Sequence, residues 1–158
     1  AMPPALRKTF LAVVARHADA AMWDRLHAAT IASMTQLIKA QLYTCLSTTE
    51  DKALAQRALD LALTDEPGAT NSAGMIRAVS ELHPDLAFDF AAAHRAEVDA
   101  KVDSTSTSRY YPSLAANSLD PAMIAKLNAF STAHIAPTSR RATDTAISTI
   151  EYRIKVHN

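Results

Sequence analysis

The chain has 158 residues, 49% of them hydrophobic, with only 2 Gly and 1 Cys. Its length suits one domain with a substantial core, and an alanine-rich, glycine-poor composition favours helix over strand. The 16 Lys and Arg balance the 16 Asp and Glu, which argues against a nucleic-acid-binding protein because such proteins need a basic surface, and the lone Cys45 excludes an internal disulfide.

The first predicted helices form a hairpin. Pro3 and Pro4 suit the first turn of a helix, where backbone donors are not needed. One face of this helix carries apolar residues and a histidine at helical spacing: Leu6, Phe10, Val13, Val14 and His17. Asp19 is predicted to cap the second helix, Ala20 to Thr30, and Trp23 is expected to anchor that helix in the core.

A second predicted hairpin begins roughly thirty residues after the first, and this period is typical of stacked helical repeats. Its first helix runs from Met34 to Leu46. Its second helix lies within Ser47 to Gly68 and has two candidate capping boxes: Ser47 with Glu50, and Thr48 with Asp51. Gly68, after Pro67, is expected to adopt the left-handed turn that ends this helix.

The second half of the chain also has helical patterns. A short helix that Thr70 or Asn71 can cap carries Met75, Ile76, Val79 and Leu82. It also contains Gly74, whose cost in a helix of roughly 1 kcal/mol suggests a close helix contact there. Pro84 is expected to open a long helix that continues to Val102. A polar turn, Asp103 to Ser108, follows, and three further helices are predicted after it.

These patterns predict an all-α fold of about nine helices and no strand. The expected arrangement is an irregular HEAT-like stack of antiparallel helix pairs, an α-α superhelix. We expect residues 1–158 to form a single helical-repeat domain.

The sequence contains none of the motifs that ordinarily mark an active site. The spacings H-E-x-x-H, E-x-x-H and C-x-x-C are absent, as are glycine-rich phosphate loops and the G-x-S-x-G nucleophile turn. We therefore predict no catalytic residue, no metal ligand and no cofactor on this chain.

A small set of side chains is a candidate for contact with a substrate or a neighbouring domain: Arg109, Tyr110 and Tyr111. The alternative is that they pack against a neighbouring helix. Cys45 lies on the apolar side of its helix and is predicted to be a buried structural cysteine. His17 and His94 lie on apolar faces and are predicted to be core histidines rather than ligands, and Trp23 and the phenylalanines to be core anchors.

The order of helices resembles that of a known domain. Gln36 to Glu66, with TEDKALAQRALDLALTDE at its centre, is similar to part of the C-terminal helical domain of puromycin-sensitive-type zinc aminopeptidases, in the gluzincin aminopeptidase family. Four more segments are similar to that domain in the same order: MPPALRKTFLAVVARHADAAMWDRL, LAFDFAAAHRAEVDAKV, YYPSLAANSLDPAMIAKLNAFSTAH and SRRATDTAISTIEYRIKVHN. The likeness covers nearly the whole chain, and the domain is called endoplasmic-reticulum-aminopeptidase-like.

This resemblance implies an architecture and a role. In that family the zinc site, with its H-E-x-x-H helix, lies in an upstream domain, and the HEAT-like C-terminal domain curves over it and closes a peptide cavity. The resemblance implies that this chain is the non-catalytic C-terminal part of an enzyme that removes N-terminal residues from peptides. It also implies the partners, which are the upstream catalytic domain of the same polypeptide and peptide substrates, without nucleic acid or membrane. Zinc is expected in the upstream domain only.

Two other interpretations stay open. A free-standing helical-repeat scaffold that binds another protein would use the same repeats. A small helical regulator that binds DNA or a ligand is disfavoured by the neutral charge and the lack of a basic recognition helix. No apolar run is long enough to span a membrane, and AMPPALRK lacks the apolar region of a signal peptide. We expect a soluble protein of the cytoplasm or the periplasm, with any signal upstream.

Overall fold

The apolar stripes fold as helices, and prolines, aspartates and a glycine mark several of their ends. A computed structural model describes residues 3–158, so the first two residues of the predicted domain lie outside the described residues. The described residues form ten α-helices: α1 (Pro4–Arg16), α2 (Ala20–Ala32), α3 (Gln36–Ser47), α4 (Lys52–Ala62), α5 (Ala69–Leu82), α6 (Pro84–Ala93), α7 (Arg95–Asp99), α8 (Thr107–Ala115), α9 (Ala122–His134) and α10 (Arg141–His157). A 3₁₀ helix, Pro137–Ser139, precedes α10, and no strand occurs within residues 3–158. The predicted all-α fold is confirmed.

The helices form two layers. Helices α1, α3, α5, α8 and α10 lie side by side in what we call the spine layer, and α2, α4, α6 and α9 form the cover layer. Each cover helix packs against the spine helix of its own pair and against the spine helix that follows, while the short α7 packs against α6. This alternation confirms the predicted HEAT-like stack of helix pairs.

The turns within the helix pairs line up along one edge of the stack, which we call the turn edge. Three hydrogen bonds join successive turns: the Glu50 backbone N–H to the Arg16 carbonyl (3.0 Å), the His83 ring Nε2 to the Thr49 carbonyl (2.8 Å), and the Ser118 hydroxyl to the Asp85 carboxylate (2.7 Å). The paired residues are 34, 34 and 33 positions apart. The repeat that the two N-terminal hairpins predict is therefore present as a regular spacing of contacts.

The core lies between the two layers. Both layers contribute its largest fully buried side chains: Leu46, Leu59, Met75, Ile76, Leu114, Met123, Leu127 and Ile150. Burying one such side chain stabilises the fold by roughly 1.5–3 kcal/mol. Trp23 is also buried; its indole N–H donates to the Leu46 carbonyl (2.9 Å), and the Arg57 guanidinium lies 4.4 Å above the ring. Trp23 is a core anchor, as predicted.

The four phenylalanines do not share one environment. Phe88, Phe90 and Phe130 are buried, and the rings of Phe88 and Phe130 meet edge to face with centroids 5.7 Å apart. Phe10 is 55% exposed on α1, so its assignment as a core anchor is wrong. The apolar face predicted for α1 exists, but no helix within residues 3–158 covers it.

The helix caps follow the sequence only in part. The Asp19 carboxylate accepts the Met22 N–H at 2.8 Å and caps α2, as predicted. The capping boxes predicted at Ser47 and Thr48 are wrong, because α3 continues through Ser47, whose hydroxyl donates to a carbonyl of its own helix. Asp51 alone caps α4, since its carboxylate accepts two backbone N–H groups from the first turn.

The conformations of the two glycines and the length of one helix can also be compared with their predictions. Gly68 has the predicted positive φ, +82°, but α4 already ends at Ala62 and Gly68 precedes α5, so its predicted role in ending α4 is wrong. Gly74 is exposed on α5, and a Cβ placed there would meet nothing within 4 Å, so the predicted close contact is wrong. The helix predicted over Pro84 to Val102 is divided at His94, whose φ of −110° and ψ of 34° leave the helical region although no proline or glycine marks the break.

Candidate functional site

The three predicted contact residues are consecutive on α8 but do not share a surface. Tyr110 and Tyr111 are buried, with 3% and 2% of their surface exposed, whereas Arg109 is exposed. The Tyr110 hydroxyl donates to the Ala73 carbonyl on α5 (2.8 Å), and the Tyr111 hydroxyl donates to the Asp99 carboxylate on α7 (2.5 Å). The two tyrosines thus attach α8 to its neighbours, and of the three residues only Arg109 reaches the surface.

Both phenols are hydrogen-bond donors at physiological pH. Burial raises the pKa of Tyr110 far above its usual value, with a smaller opposing effect of the Arg77 guanidinium. Burial also raises the pKa of Tyr111, and its hydrogen bond to the Asp99 carboxylate raises that pKa further. Their protonated hydroxyls suit structural hydrogen bonding rather than acid–base chemistry.

Tyr111 and Asp99 contribute to a polar cavity of about 310 Å³, which we call the α7–α9 cavity. Asp99 also forms an ion pair with Arg95 (3.0 Å), and on another side of the cavity the ring of His134 packs on that of Phe130, with centroids 4.9 Å apart. Residues with hydroxyl groups from the segment before α8 and from its first turn also line the cavity: Ser104, Thr105, Thr107 and Ser108. Because Arg95 and Tyr111 already satisfy the carboxylate, the cavity offers hydrogen-bonding groups rather than a free carboxylate base.

A second concavity, the α8–α10 groove, has a volume of about 530 Å³. Small and apolar residues of the two helices form most of its lining: Pro112, Ser113, Ala116, Ala142, Thr145, Ala146 and Thr149. Arg109 and Arg141 add two guanidinium groups, and neither makes a hydrogen bond or ion pair with another residue of the described chain. The groove combines an apolar floor with two unpaired cations, which suits an apolar ligand that carries acidic groups.

The histidines predicted to lie in the core are at the surface. The side chains of His17 and His94 are 61% and 41% exposed, so that prediction is wrong. His17 lies 3.2 Å from Glu50, and His94 lies 3.5 Å from Glu97. The apolar faces of the two helices are present, but these side chains sit at the helix ends, where a carboxylate is within reach.

The described residues do not fit a metal centre. Within residues 3–158 no group of three His, Cys, Asp or Glu side chains is arranged to hold a metal ion. Cys45 is buried, as predicted, and burial raises the pKa of its thiol, which disfavours the nucleophilic thiolate. The prediction that this chain carries no cofactor of its own stays a prediction.

Sequence reasoning missed a polar cluster that joins three segments. Glu66, in the loop between α4 and α5, accepts hydrogen bonds from the His27 ring on α2 (2.9 Å) and from the Tyr43 hydroxyl on α3 (3.0 Å). Burial raises the pKa of Tyr43 to about 12, and Glu66 acts in the same direction. The partners lie 39 and 23 positions from Glu66, and no motif connects them, so the sequence offers no signal for this cluster.

The family comparison covers nearly all of this architecture. A family model described as the ERAP1-like C-terminal domain matches residues 1–152. The chain belongs to the ERAP1-like C-terminal domain family. The match confirms the resemblance drawn from the helix patterns, while no curated protein is significantly similar to the chain.

In this ERAP1-like domain, α8 lies between the two concave surfaces and contributes residues to both. The buried Tyr110 and Tyr111 fix its position, the α7–α9 cavity opens on one side, and the α8–α10 groove opens on the other. None of the helices within residues 3–158 has the length and apolar character needed to cross a membrane.

Proposed function

We propose that this ERAP1-like domain is the non-catalytic C-terminal part of a zinc aminopeptidase, in which it caps the catalytic domain and shapes the closed cavity that binds peptides. The parent enzyme would remove N-terminal residues from peptides. The family match over residues 1–152 is the observation that carries the proposal. Zinc and the general base would belong to an upstream domain of the same polypeptide, since the described residues of this chain do not fit a zinc site.

The two-layer stack supports a capping role. Stacked helix pairs present a continuous surface longer than one pair, and closure of such a surface over a site excludes water and completes it. The α8–α10 groove supplies an apolar floor with Arg109 and Arg141 at its sides, and we propose it as a contact for peptide or for the catalytic domain. Tyr110 and Tyr111 would act indirectly, because they hold α8 and thus position Arg109.

The chain would contribute the shape of the peptide cavity and no catalytic group. Metal-assisted hydrolysis of a peptide bond needs a Lewis-acidic ion and a base that activates water. The sequence offers neither set of groups in a recognised spacing. The purified chain supplied with zinc is therefore expected not to cleave aminoacyl amide substrates.

A deletion tests the proposal directly. A parent enzyme that lacks residues 2–158 is expected to keep its zinc while losing most of its peptide turnover. In the intact parent, Arg109→Ala is expected to raise KM for peptides, whereas Arg25→Ala, at an exposed arginine on α2, is the matched control and should leave KM unchanged. Full peptide turnover without the domain would contradict the proposal and favour the free-standing scaffold. Zinc-dependent cleavage by the chain alone would overturn the non-catalytic assignment.

A further inference from the structure

The surface of the α8–α10 groove continues along α10 beyond the residues that line it. Ala146 and Thr149 line the groove, and Arg153 follows them in the same row, because spacings of three and four residues keep helical side chains on one face. Tyr152 and Val156, which are 68% and 63% exposed, continue the neighbouring row from Thr149. We call the lining of the groove together with Tyr152, Arg153 and Val156 the extended groove.

Cations lie at both ends of the extended groove. Helix α9 turns back after α8 and α10 turns back after α9, as the contact between the Ser131 and Thr143 hydroxyls (2.5 Å) shows, so α8 and α10 run in the same direction. Arg109 and Arg141 lie in the first turns of these two helices and are therefore at the same end. Arg153 lies roughly 18 Å from Arg141 along the axis of α10, at about 1.5 Å per residue.

These three arginines have no carboxylate partner within residues 3–158. Four other arginines of the chain form ion pairs with Asp or Glu: Arg16, Arg57, Arg95 and Arg140. The Nε atom of Arg153 is buried, and no group of the described residues accepts its hydrogen. A buried donor without an acceptor costs free energy, so an acceptor supplied by another molecule would stabilise it.

The two helices of the extended groove do not neutralise its charge. Helix α8 has no Asp or Glu, and Arg109 is its only charged residue. The two acidic residues of α10 are Asp144 and Glu151. At about 100° of rotation per residue, both lie about 140–160° around the helix from Thr149 and so face away from the extended groove. Because the chain has no net charge, the three arginines form a local surplus of positive charge.

The shape of the extended groove suits a helix. Small side chains, among them Ala116, Ala142 and Ala146, line the floor, so the axis of another helix can approach closely. An amphipathic helix that binds in a groove presents apolar residues on one face, at spacings such as i, i+4, i+7 and i+11. Positions i and i+11 are about 16 Å apart along a helix, which matches the separation of Arg141 and Arg153.

The extended groove has the chemistry of a reversible interface. Permanent interfaces are more apolar than transient ones, and charged residues are depleted from their centres. Here unpaired arginines border an apolar floor, and such charges steer association with a partner of opposite charge. This combination favours a partner that belongs to a separate protein over a segment that stays permanently docked.

We propose that the extended groove binds an amphipathic helix of a separate protein, with leucine, isoleucine or valine on the face that meets the floor and with Asp or Glu at both ends of that face. Acidic residues at one end would pair with Arg109 and Arg141, and an acidic residue at the other end would pair with Arg153. The inference goes beyond the proposed function and does not rest on it, since it concerns only what the extended groove binds. In the parent enzyme, the partner would compete with the contact proposed above for this groove.

A designed peptide tests the proposal. The probe is a fluorescent helical peptide of about 18 residues, with leucine at i, i+4, i+7 and i+11 and two glutamates near each end. Fluorescence anisotropy should show saturable binding to the 158-residue chain. The double variant Arg141→Gln, Arg153→Gln should weaken binding on the order of tenfold or more. The matched control is Arg25→Gln, at an exposed arginine of α2 that also has no ion pair within residues 3–158, and it should leave binding unchanged.

A second variant tests the floor separately from the charges. Thr149→Trp places a large ring in the groove and should abolish binding of the glutamate peptide. Ser148→Trp is the matched control, because Ser148 is the adjacent residue and does not line the groove. Both positions are exposed, so both substitutions leave the core intact. Equal binding by the two tryptophan variants would place the peptide elsewhere and overturn the proposal.

Four further results would overturn the proposal. The first is a lack of saturable binding by the glutamate peptide. Equal binding of a peptide with lysine in place of glutamate would show that charge does not select the partner. Equal binding of a version whose helix is broken by two central prolines would assign the groove to an extended peptide, such as a substrate. Self-association of the chain that Thr149→Trp abolishes would assign the groove to a second copy.

The peptide experiment is independent of peptidase activity. Anisotropy measures binding and not turnover. A parent enzyme that keeps full peptide turnover without this domain would defeat the proposed function, yet binding of the glutamate peptide would leave this inference standing.

Discussion

The ring of His83 donates a hydrogen bond from Nε2 to the backbone carbonyl of Thr49, 2.8 Å away, and so joins two consecutive helix pairs. A carbonyl oxygen can only accept, so the geometry requires the proton on Nε2. Thr49 is fully buried, and its carbonyl is therefore sensitive to the loss of this donor.

We expect His83→Ala to destabilise the chain by about 1–3 kcal/mol, because it removes a hydrogen bond to a buried residue of the turn edge. The matched control is His157→Ala at the exposed end of α10, which should change stability by less than about 0.5 kcal/mol. Urea unfolding of the two variants gives both values. Equal effects would show that the turn edge contributes little to stability.

Replacing Gly74 with alanine should stabilise the chain by about 0.5–1 kcal/mol. The position is exposed in the interior of α5, and the added methyl group would meet nothing within 4 Å. Gly68→Ala should have the opposite effect and cost about 1–2 kcal/mol, because its φ of +82° is unfavourable for a residue with a Cβ. Thermal unfolding measures both, and a loss of stability in Gly74→Ala would mean that α5 is packed more tightly there.

Leu59→Ala should cost roughly 2–5 kcal/mol, since it leaves a cavity in the core between the layers. Leu59 is fully buried on α4, while Leu37 on α3 is 71% exposed. The same substitution at Leu37 removes the same atoms from a largely solvated site and should cost less than about 1 kcal/mol. If denaturant unfolding gave the two variants similar losses, the assignment of the core face of α4 would be incorrect.

Acidification should weaken the junction between the first two helix pairs. The hydrogen bond from Arg16 holds the pKa of Glu50 below its usual value of 4.5, with a further contribution from His17. The folded state therefore binds the proton less readily than the unfolded chain. The stabilising contribution is present above pH 4.5 and is lost as the pH falls through the folded-state pKa. In Glu50→Gln, the free energy of unfolding should depend less on pH below that value; an unchanged dependence would contradict this.

The sequence was sufficient to predict features that depend on residues close together along the chain. Asp19 caps a helix because its short carboxylate reaches a nearby N–H group, and Gly68 adopts a positive φ readily because it lacks a Cβ. Whether a side chain is buried depends instead on the residues that pack around it in the folded chain. The periodicity of α1 correctly predicts an apolar face, but it contains no information on whether another helix covers Phe10.

The repeat of 33 or 34 residues is hard to detect in the sequence for a chemical reason. The three hydrogen bonds of the turn edge occupy equivalent places in successive pairs, yet their donors are a backbone N–H, the imidazole of His83 and the hydroxyl of Ser118. Different residue types perform the same task, so aligning the pairs by residue identity conceals it. The candidate site was similarly hidden, because burial of Tyr110 and Tyr111 separates them from Arg109 although the three are adjacent in sequence.

The spacing of the turn edge also determines how the chain can assemble. Each of its hydrogen bonds spans 33 or 34 residues, so none of them requires the two ends of the chain to meet. The loop that must close for each contact is about one helix pair long, and its entropy cost stays nearly constant along the stack. Folding can then nucleate in any one pair and propagate to the next, as in a linear array with nearest-neighbour coupling. The rate of folding should consequently depend on the stability of a single pair and its first neighbour rather than on the length of the whole stack.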